Sequence, residues 1–431
     1  MIERRGPAAS WSRRKRILVA LGLAVALGLA AGYLSVTVGG GISPRQTDFI
    51  TYFSAARLIT SGHGSSLYSF ATLAAVERPV VHPFHLAYGV LPYVYPPYFA
   101  LLTAPLAALP FDAAYLAWLA LDLVLLGAVL VGLGRMASLR SRSWLFWGAG
   151  ALSALPVFIA LLQGQTSIVL LAVFVGTLLL LRAGRDLPAG MLLSLALIKP
   201  PYVVPVLIVL ALRRPRALPG FAAGAVVLFA VPTALWGWNI DTRYLSVLRE
   251  ATTWHLQFGY SPVNSSSLSG AVGALVPGVA GTIVAGLLAA GVLAWMGWIT
   301  WHSRDLARLF GLAVAAALLV SPHVLIHDLS LLLITAAVIL AAYGATDRAA
   351  LWLAGAFAAA TAGFLLSHAA HFPLAVLAPA LLWWRLARPG ASSNETVTRQ
   401  DEAAGRRADG PAGDGLSRLQ QVPGPESANA G

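Results

Sequence analysis

The sequence predicts an all-α, polytopic membrane protein, and three observations predict it. Hydrophobic residues fill 58% of the 431 positions while charged residues fill only 11%, against roughly a quarter charged in an ordinary soluble domain. Uncharged apolar runs recur from Ile17 to Leu386, many approaching the roughly 20 residues that a helix needs to cross a bilayer. The basic residues stand in short clusters between those runs rather than on one soluble face. A soluble globular protein is therefore excluded, and the formal charge of +12 reflects membrane topology rather than a nucleic-acid partner. The absence of cysteine excludes disulfides, thiolate zinc sites and a cysteine nucleophile.

The first apolar run, Ile17 to Val38, follows Arg13-Arg14-Lys15-Arg16. It exceeds the 7–15 residues or so of a signal-peptide core and is read as a retained first helix after a basic cytoplasmic segment, 1–16. Residues 39–97 then form a long outer loop. Within it Phe49, Tyr52, Phe53 and Ala56 follow i, i+3, i+4, i+7 spacing, which predicts an amphipathic helix lying on the outer membrane surface, with Asp48 at its first turn and Gly62 near its end. Pro96-Pro97 opens an apolar segment over 98–110. Further helices are expected at 113–133, 144–162, 166–182, 187–198, 201–212, 217–237, 271–300, 309–322, 328–344, 349–366 and 372–387, which with 17–38 makes about twelve. From Pro389 onward large apolar residues almost vanish, so 389–431 reads as a disordered cytoplasmic tail.

Arginine counts orient the chain. Arg135, Arg140, Arg142, Arg182, Arg185, Arg213, Arg214, Arg216, Arg304, Arg308, Arg348, Arg385 and Arg388 fall on one side, and far fewer fall on the other. The positive-inside rule makes the first side cytoplasmic and the 39–97 loop external. A second outer loop, Trp238 to Leu268, carries Trp254, His255, Tyr260 and Asn264, residue types suited to a head-group interface.

Two pairs of apolar segments are too short to span. Residues 187–198 would rise about 18 Å against a hydrocarbon core of about 30 Å, and they end at Lys199-Pro200-Pro201, the tip of an expected hairpin within the membrane. The second break is Ser321-Pro322-His323-Val324-Leu325-Ile326-His327-Asp328. Polar, irregular backbone at such depth is tolerated only where protein or a wet cavity surrounds it.

The arrangement resembles glycosyltransferase family 87, polytopic enzymes that include polyprenyl-phosphate-mannose-dependent mannosyltransferases. The resemblance is carried by Asp48-Phe49 with Tyr52, Ala55-Ala56-Arg57 and Gly62, by Leu67-Tyr68, and by Tyr95-Pro96-Pro97 leading into Ala104-Pro105-Leu106 and Leu109-Pro110-Phe111. Gly164-Gln165, Ala196-Leu197-Ile198-Lys199-Pro200, and Ser321-Pro322 with His327-Asp328 follow in the family's order. It extends over about residues 40–345. It implies a GT-C fold and inverting transfer of mannose or another hexose from a polyprenyl-phosphate donor to a lipid or glycan acceptor, on the outer face of the bacterial cytoplasmic membrane. It also implies that Asp48 is the general base. One departure stands in the second outer loop, where Ser265-Ser266-Ser267-Leu268 replaces the Asn-Gln-Ser-Leu of the family's mannosyltransferases and Asn264 lies one position early.

Each residue carries a plainer alternative. Asp48 is also a favoured N-cap. Lys199 reads as a contact to the donor phosphate or as an interfacial anchor. Arg57 assists at the phosphate or holds lipid head groups, and His327 contacts donor or acceptor or caps a helix. Tyr52, Tyr95, His323, Gln165 and Asn264 are further candidate contacts, although Gln163-Gly164-Gln165 also reads as a tight turn closing helix ends. Glu77, Asp241 and Glu250 are reserve candidates for the base, while Asp112 and Asp122 read as capping or pairing residues in the bundle. No cofactor is called for; a divalent cation on His323, His327 and Asp328 is the metal alternative, and it lacks a well-placed third ligand. Two other functions use the same lipid chemistry, a polyprenyl-lipid flippase and an O-antigen polymerase or ligase. The large first outer loop and the lack of an evident internal repeat argue against the flippase, and the gathering of polar groups in the first outer loop and the two helix breaks, rather than in a large loop late in the chain, argues against the polymerase.

Overall fold

The first loop segment is built by aromatic side chains. Helix α1, Phe49–Thr60, buries Phe49, Tyr52, Phe53 and nearly every other residue up to Leu58. Phe49 packs edge-on against Phe111 and Tyr115, and Tyr52 against Tyr95 and Phe99. Each such buried ring contributes on the order of 1.5–3 kcal/mol. The spacing thus predicts the helix correctly, but not its place: α1 is enclosed by protein rather than lying on the membrane surface. Gly62, at φ 82°, ends it in the left-handed turn that only glycine adopts freely.

The computed structural model describes residues 43–86, 88–139, 141–251, 261–343 and 347–388. The basic segment 1–16, the expected helix at 17–38, the tail 389–431, and Trp254, His255 and Tyr260 lie outside the described residues. Among the described residues the structure is all helical, with no strand. After α1 come α2 (Phe70–Val81), α3 (Pro97–Thr103) and α4 (Phe111–Met136). Next are α5 (Ser141–Leu152), α6 (Leu155–Leu162), α7 (Ser167–Arg182), α8 (Asp186–Ser194), α9 (Pro200–Arg213) and α10 (Ala217–Trp236). Then follow α11 (Asn239–Glu250), α12 (Leu268–Leu275), α13 (Gly278–His302), α14 (Leu306–Val320), α15 (Leu332–Tyr343), α16 (Asp347–Ala370) and α17 (Leu377–Ala387).

Among the described residues, five helical stretches are long and apolar enough to cross a membrane: α4, α10, α13, Ile326–Tyr343 and Ala349–Ala370. The pair α5 and α6, bent by 55°, makes a sixth if it counts as one span. Their outward faces are apolar; Val124, Val226, Val279 and Leu287 are all largely exposed, a surface stable against lipid rather than water. The remaining apolar helices, α7, α8, α9 and α14 among them, are shorter than a span; α7 and α14 are largely buried, whereas α8 and α9 leave Leu187, Met191 and Val204 exposed.

Prolines break two segments that hydropathy alone reads as continuous. The expected 271–300 helix splits into α12 and α13 because Pro277 forces Val276 into an extended conformation, and the expected 144–162 helix bends before Pro156. The hairpin expected at Lys199 is also corrected. Rather than packing on each other, α8 lies along α10 and α9 along α14. Glycines explain the first pairing: a Cβ on Gly190 would collide with the Ala217 carbonyl, and one on Gly220 with the Leu187 carbonyl, so small residues let the two backbones touch.

Two apolar cores result. One fills the bundle around α7, α9, α14, α15 and α17; the other joins α1 and α2 to Tyr93–Phe99, the start of α4, Ile198 and α11. Helix α2 contributes Glu77, wholly buried, whose Oε2 accepts the Leu91 N–H at 2.9 Å. Burial pushes its carboxyl from 4.5 up to about 8 against the opposing pull of that hydrogen bond. Because the folded value is the higher one, Glu77's contribution to stability is complete below about pH 4.5 and is lost as pH rises through about 8. Glu77→Gln, which cannot ionise, should therefore gain on wild type as pH rises through this window in thermal unfolding experiments. A difference in melting temperature that stays constant with pH would show that the carboxyl is not held neutral.

Candidate active site

Helix breaks converge where the two cores meet. The first is the turn between α6 and α7, Gln163-Gly164-Gln165. Gly164 has φ 61° and a Cβ there would press on the Phe49 side chain, so glycine is required both for the turn and for the approach of α1. The turn directs the buried Gln165 amide to Asp48, whose Oδ2 accepts a hydrogen bond from Nε2. Asp48 stands at the start of α1 yet makes no capping hydrogen bond with its side chain. The N-cap reading of this residue is thereby set aside: its partly exposed carboxylate faces Gln165 and not its own helix.

The second and third breaks are joined by charge. Lys199, between the 3-10 turn Leu195–Ile198 and α9, forms an ion pair through Nζ with Asp328 Oδ1. Asp328 lies in the 3-10 turn Ile326–Leu331 that leads into α15. Its carboxylate also accepts Ser167 Oγ at 2.7 Å, Tyr202 Oη at 2.8 Å and the Leu325 N–H at 3.2 Å, while His327 Nε2 lies 3.7 Å from Oδ1. The lysine side chain keeps 18% of its surface exposed, whereas Asp328 and His327 are almost fully enclosed. A buried carboxylate with this many donors is a fixed anion, and it orients the ammonium.

Close to this pair, Tyr52 Oη and Tyr95 Oη share a buried hydrogen bond of 2.9 Å. Burial, with the nearby Asp48 charge adding to it, keeps both phenols well above their ordinary range and protonated. Asp48 itself is raised by burial; the Gln165 hydrogen bond and the Lys199 charge lower it, and the Asp328 charge raises it. The carboxylate is thus a stronger base than a solvated one and senses both members of the ion pair.

Other expected residues lie elsewhere. Arg57, at the exposed end of α1, donates to the Leu109 carbonyl at 3.3 Å and stacks over Phe53, roughly 13 Å along the helix from Asp48. His323 is exposed, and its carbonyl receives Tyr202 Oη at 3.4 Å. Asn264 is half-buried in the turn Pro262–Asn264. The serines after it are structural: Ser265 Oγ accepts the Val324 N–H, Ser266 N donates to the Val324 carbonyl, and Ser267 caps α12. These bonds attach the 264–268 segment to the 321–328 break. The reserve carboxylates are occupied too, Asp241 by Thr233 at 2.5 Å and Glu250 by Arg243 at 3.4 Å. Asp112 pairs with Arg45, and Asp122 is buried one turn beyond Trp118 on α4. No group of three His, Asp or Glu able to hold a metal occurs among the described residues. Sequence reading does not foresee that Asp328 is the partner of Lys199, nor that Ser167 and Tyr202 serve it; the one available signal is that charges inside a membrane pair with each other.

The sequence model of glycosyltransferase family 87 matches residues 93–322, more than half of the chain. The chain belongs to glycosyltransferase family 87. No curated protein and no solved structure matches it. The matched region contains Tyr95, Gln165 and Lys199, while Asp48 precedes it and His327 and Asp328 follow it. The candidate site nevertheless bridges those bounds, since Asp48 bonds to the matched Gln165 and Asp328 to the matched Lys199.

Proposed function

We propose that this family 87 glycosyltransferase moves a hexose, with inversion, from a polyprenyl-phosphate donor to a hydroxyl of a lipid or glycan acceptor at the outer face of the cytoplasmic membrane. The observation that carries the reading is a half-buried aspartate, unused as a cap, within electrostatic reach of a partly exposed lysine at a break between short apolar helices. The acceptor hydroxyl attacks the anomeric carbon as the bond from that carbon to the phosphate oxygen breaks, and a single displacement inverts the centre. Asp48 takes the hydroxyl proton. The electron pair of the broken bond stays on the polyprenyl phosphate, whose growing negative charge Lys199 offsets. A phosphate leaving group needs no protonation, so a second catalytic acid of the glycosidase kind is unnecessary.

The breaks support a membrane-dissolved donor, because a polyprenyl tail can enter between lipid-facing helices while its phosphate reaches Lys199. The arginine-bearing ends are tied together at the opposite end of the bundle: Arg213 bonds the Thr300 and Trp301 carbonyls, and Arg308 those of Leu386 and Arg388. Under the positive-inside rule the site then opens outward. The test is incubation of the full chain in lipid nanodiscs with polyprenyl-phosphate hexoses, following polyprenyl phosphate. Release that depends on an added acceptor is expected; intact donor under every acceptor tried would overturn the reading.

A further inference from the structure

An open cleft of about 630 Å³ lies between the start of α2 and α11. Ser65, Ser66, Ser69, Asn239, Thr242 and Ser246 line it, and Tyr68 forms part of its wall. The side chains of Ser65, Ser66 and Asn239 make no hydrogen bond among the described residues, so they present unused donors and acceptors. No carboxylate lines the cleft, and its one charged residue, Arg243, already faces Glu250 at 3.4 Å. Hydroxyl and amide groups without net charge suit a neutral polyhydroxyl ligand better than an anion, which would require an uncommitted cation.

The position of the cleft gives that ligand a role. Helix α11 begins just after the membrane-crossing α10, beside the exposed Trp238, so the cleft lies where the membrane meets water. Tyr68 ties its wall to the aromatic cluster beside Asp48: its ring stacks on Tyr244 of α11, its hydroxyl donates to the Tyr95 carbonyl at 2.7 Å, and Tyr95 bonds Tyr52, one turn from Asp48. We propose that this cleft binds a neutral saccharide, the glycan portion of the acceptor, which rests on the transferase reading above. The acceptor is then an oligosaccharide or a glycolipid with an uncharged glycan, and the cleft holds sugars already in place.

Binding can be measured without donor and without turnover. The full chain in nanodiscs, free of glycoside detergent, is mixed with neutral manno- and gluco-trisaccharides and examined by saturation-transfer NMR. At least one trisaccharide should bind. Ser246→Trp, which places an indole in the cleft, should weaken binding by about tenfold or more, since a clash replaces a contact; Thr242→Trp should do the same, with thermal unfolding checked for both. Arg243→Gln should change affinity by less than about twofold, as expected for an exposed, already paired charge. Binding of neither trisaccharide, or undiminished binding in both tryptophan variants, overturns the inference. So does loss of binding in Arg243→Gln together with competition by inorganic phosphate, which would make the cleft an anion or lipid-head-group site. Polyprenyl phosphate release is followed separately: release without trisaccharide binding leaves the transferase reading standing and removes this one, whereas binding without release leaves a saccharide site but removes the transferase reading and, with it, the acceptor role.

Discussion

Asp48→Asn should reduce sugar transfer by about a thousandfold, the middle of the range for loss of a general base, while donor binding and folding persist. The amide can still accept the Gln165 hydrogen bond, and Asp48 makes no cap for the substitution to remove. The pH dependence provides an independent readout. Because burial raises the Asp48 carboxyl above its ordinary value, turnover should fall on acidification at a pH above the usual carboxylate range. Removing the Lys199 charge should move that limb to still higher pH, since the lysine lowers Asp48 and Asp328 raises it. Turnover of Asp48→Asn within a few-fold of wild type would eliminate Asp48 as the base.

Lys199→Gln should cost both stability and activity, and the two losses can be separated. The substitution leaves Asp328 as a buried carboxylate without its cation, a change that typically costs about 3–5 kcal/mol. Ser167, Tyr202 and the Leu325 N–H still serve the carboxylate, so the lower end is expected. Adding Asp328→Asn removes the unpaired charge, and the double variant should recover most of the thermal stability. Transfer should remain low in both, because neither retains a cation for the departing phosphate. Lys199→Arg should retain part of the activity, its planar fork fitting the phosphate differently from a point charge. A stable double variant that transfers at the wild-type rate would make the lysine an anchor only.

Much of the candidate site was legible one residue at a time. Asp48 stood out as a carboxylate opening an aromatic helix, Lys199 as the lone lysine past residue 15, and Gln165 as a polar group in a glycine turn. Their connections were not legible, because each contact joins distant parts of the chain: Asp48 to Gln165 across 117 residues, Lys199 to Asp328 across 129. An intramembrane ammonium needs an anion, and from the sequence the donor phosphate looked like that anion. The protein supplies its own in Asp328, which changes what Lys199→Gln tests. Arg57 carries the opposite lesson. Its sequence neighbours suggested the site, but nine residues of helix carry it away to Leu109.

Hydropathy, arginine distribution and proline-marked breaks by themselves determined an all-helical membrane protein and most of its apolar helices, short ones included, though not the helices Phe70–Val81 and Asn239–Glu250, because burial in lipid requires apolar length and internal backbone hydrogen bonding wherever the partners lie. The 3.6-residue period also determined that Phe49 to Thr60 is helical. It could not say what covers the apolar face, since lipid and protein satisfy the same pattern, and only the tertiary structure enclosed α1 among Phe111, Tyr115 and Trp118. Tertiary structure likewise decided that α8 pairs with α10 rather than α9, through glycine contacts that no periodicity encodes. It alone brought the breaks at 165, 199 and 328 to one place, because the position of a polar turn follows from how helices pack and not from where the turn falls along the chain.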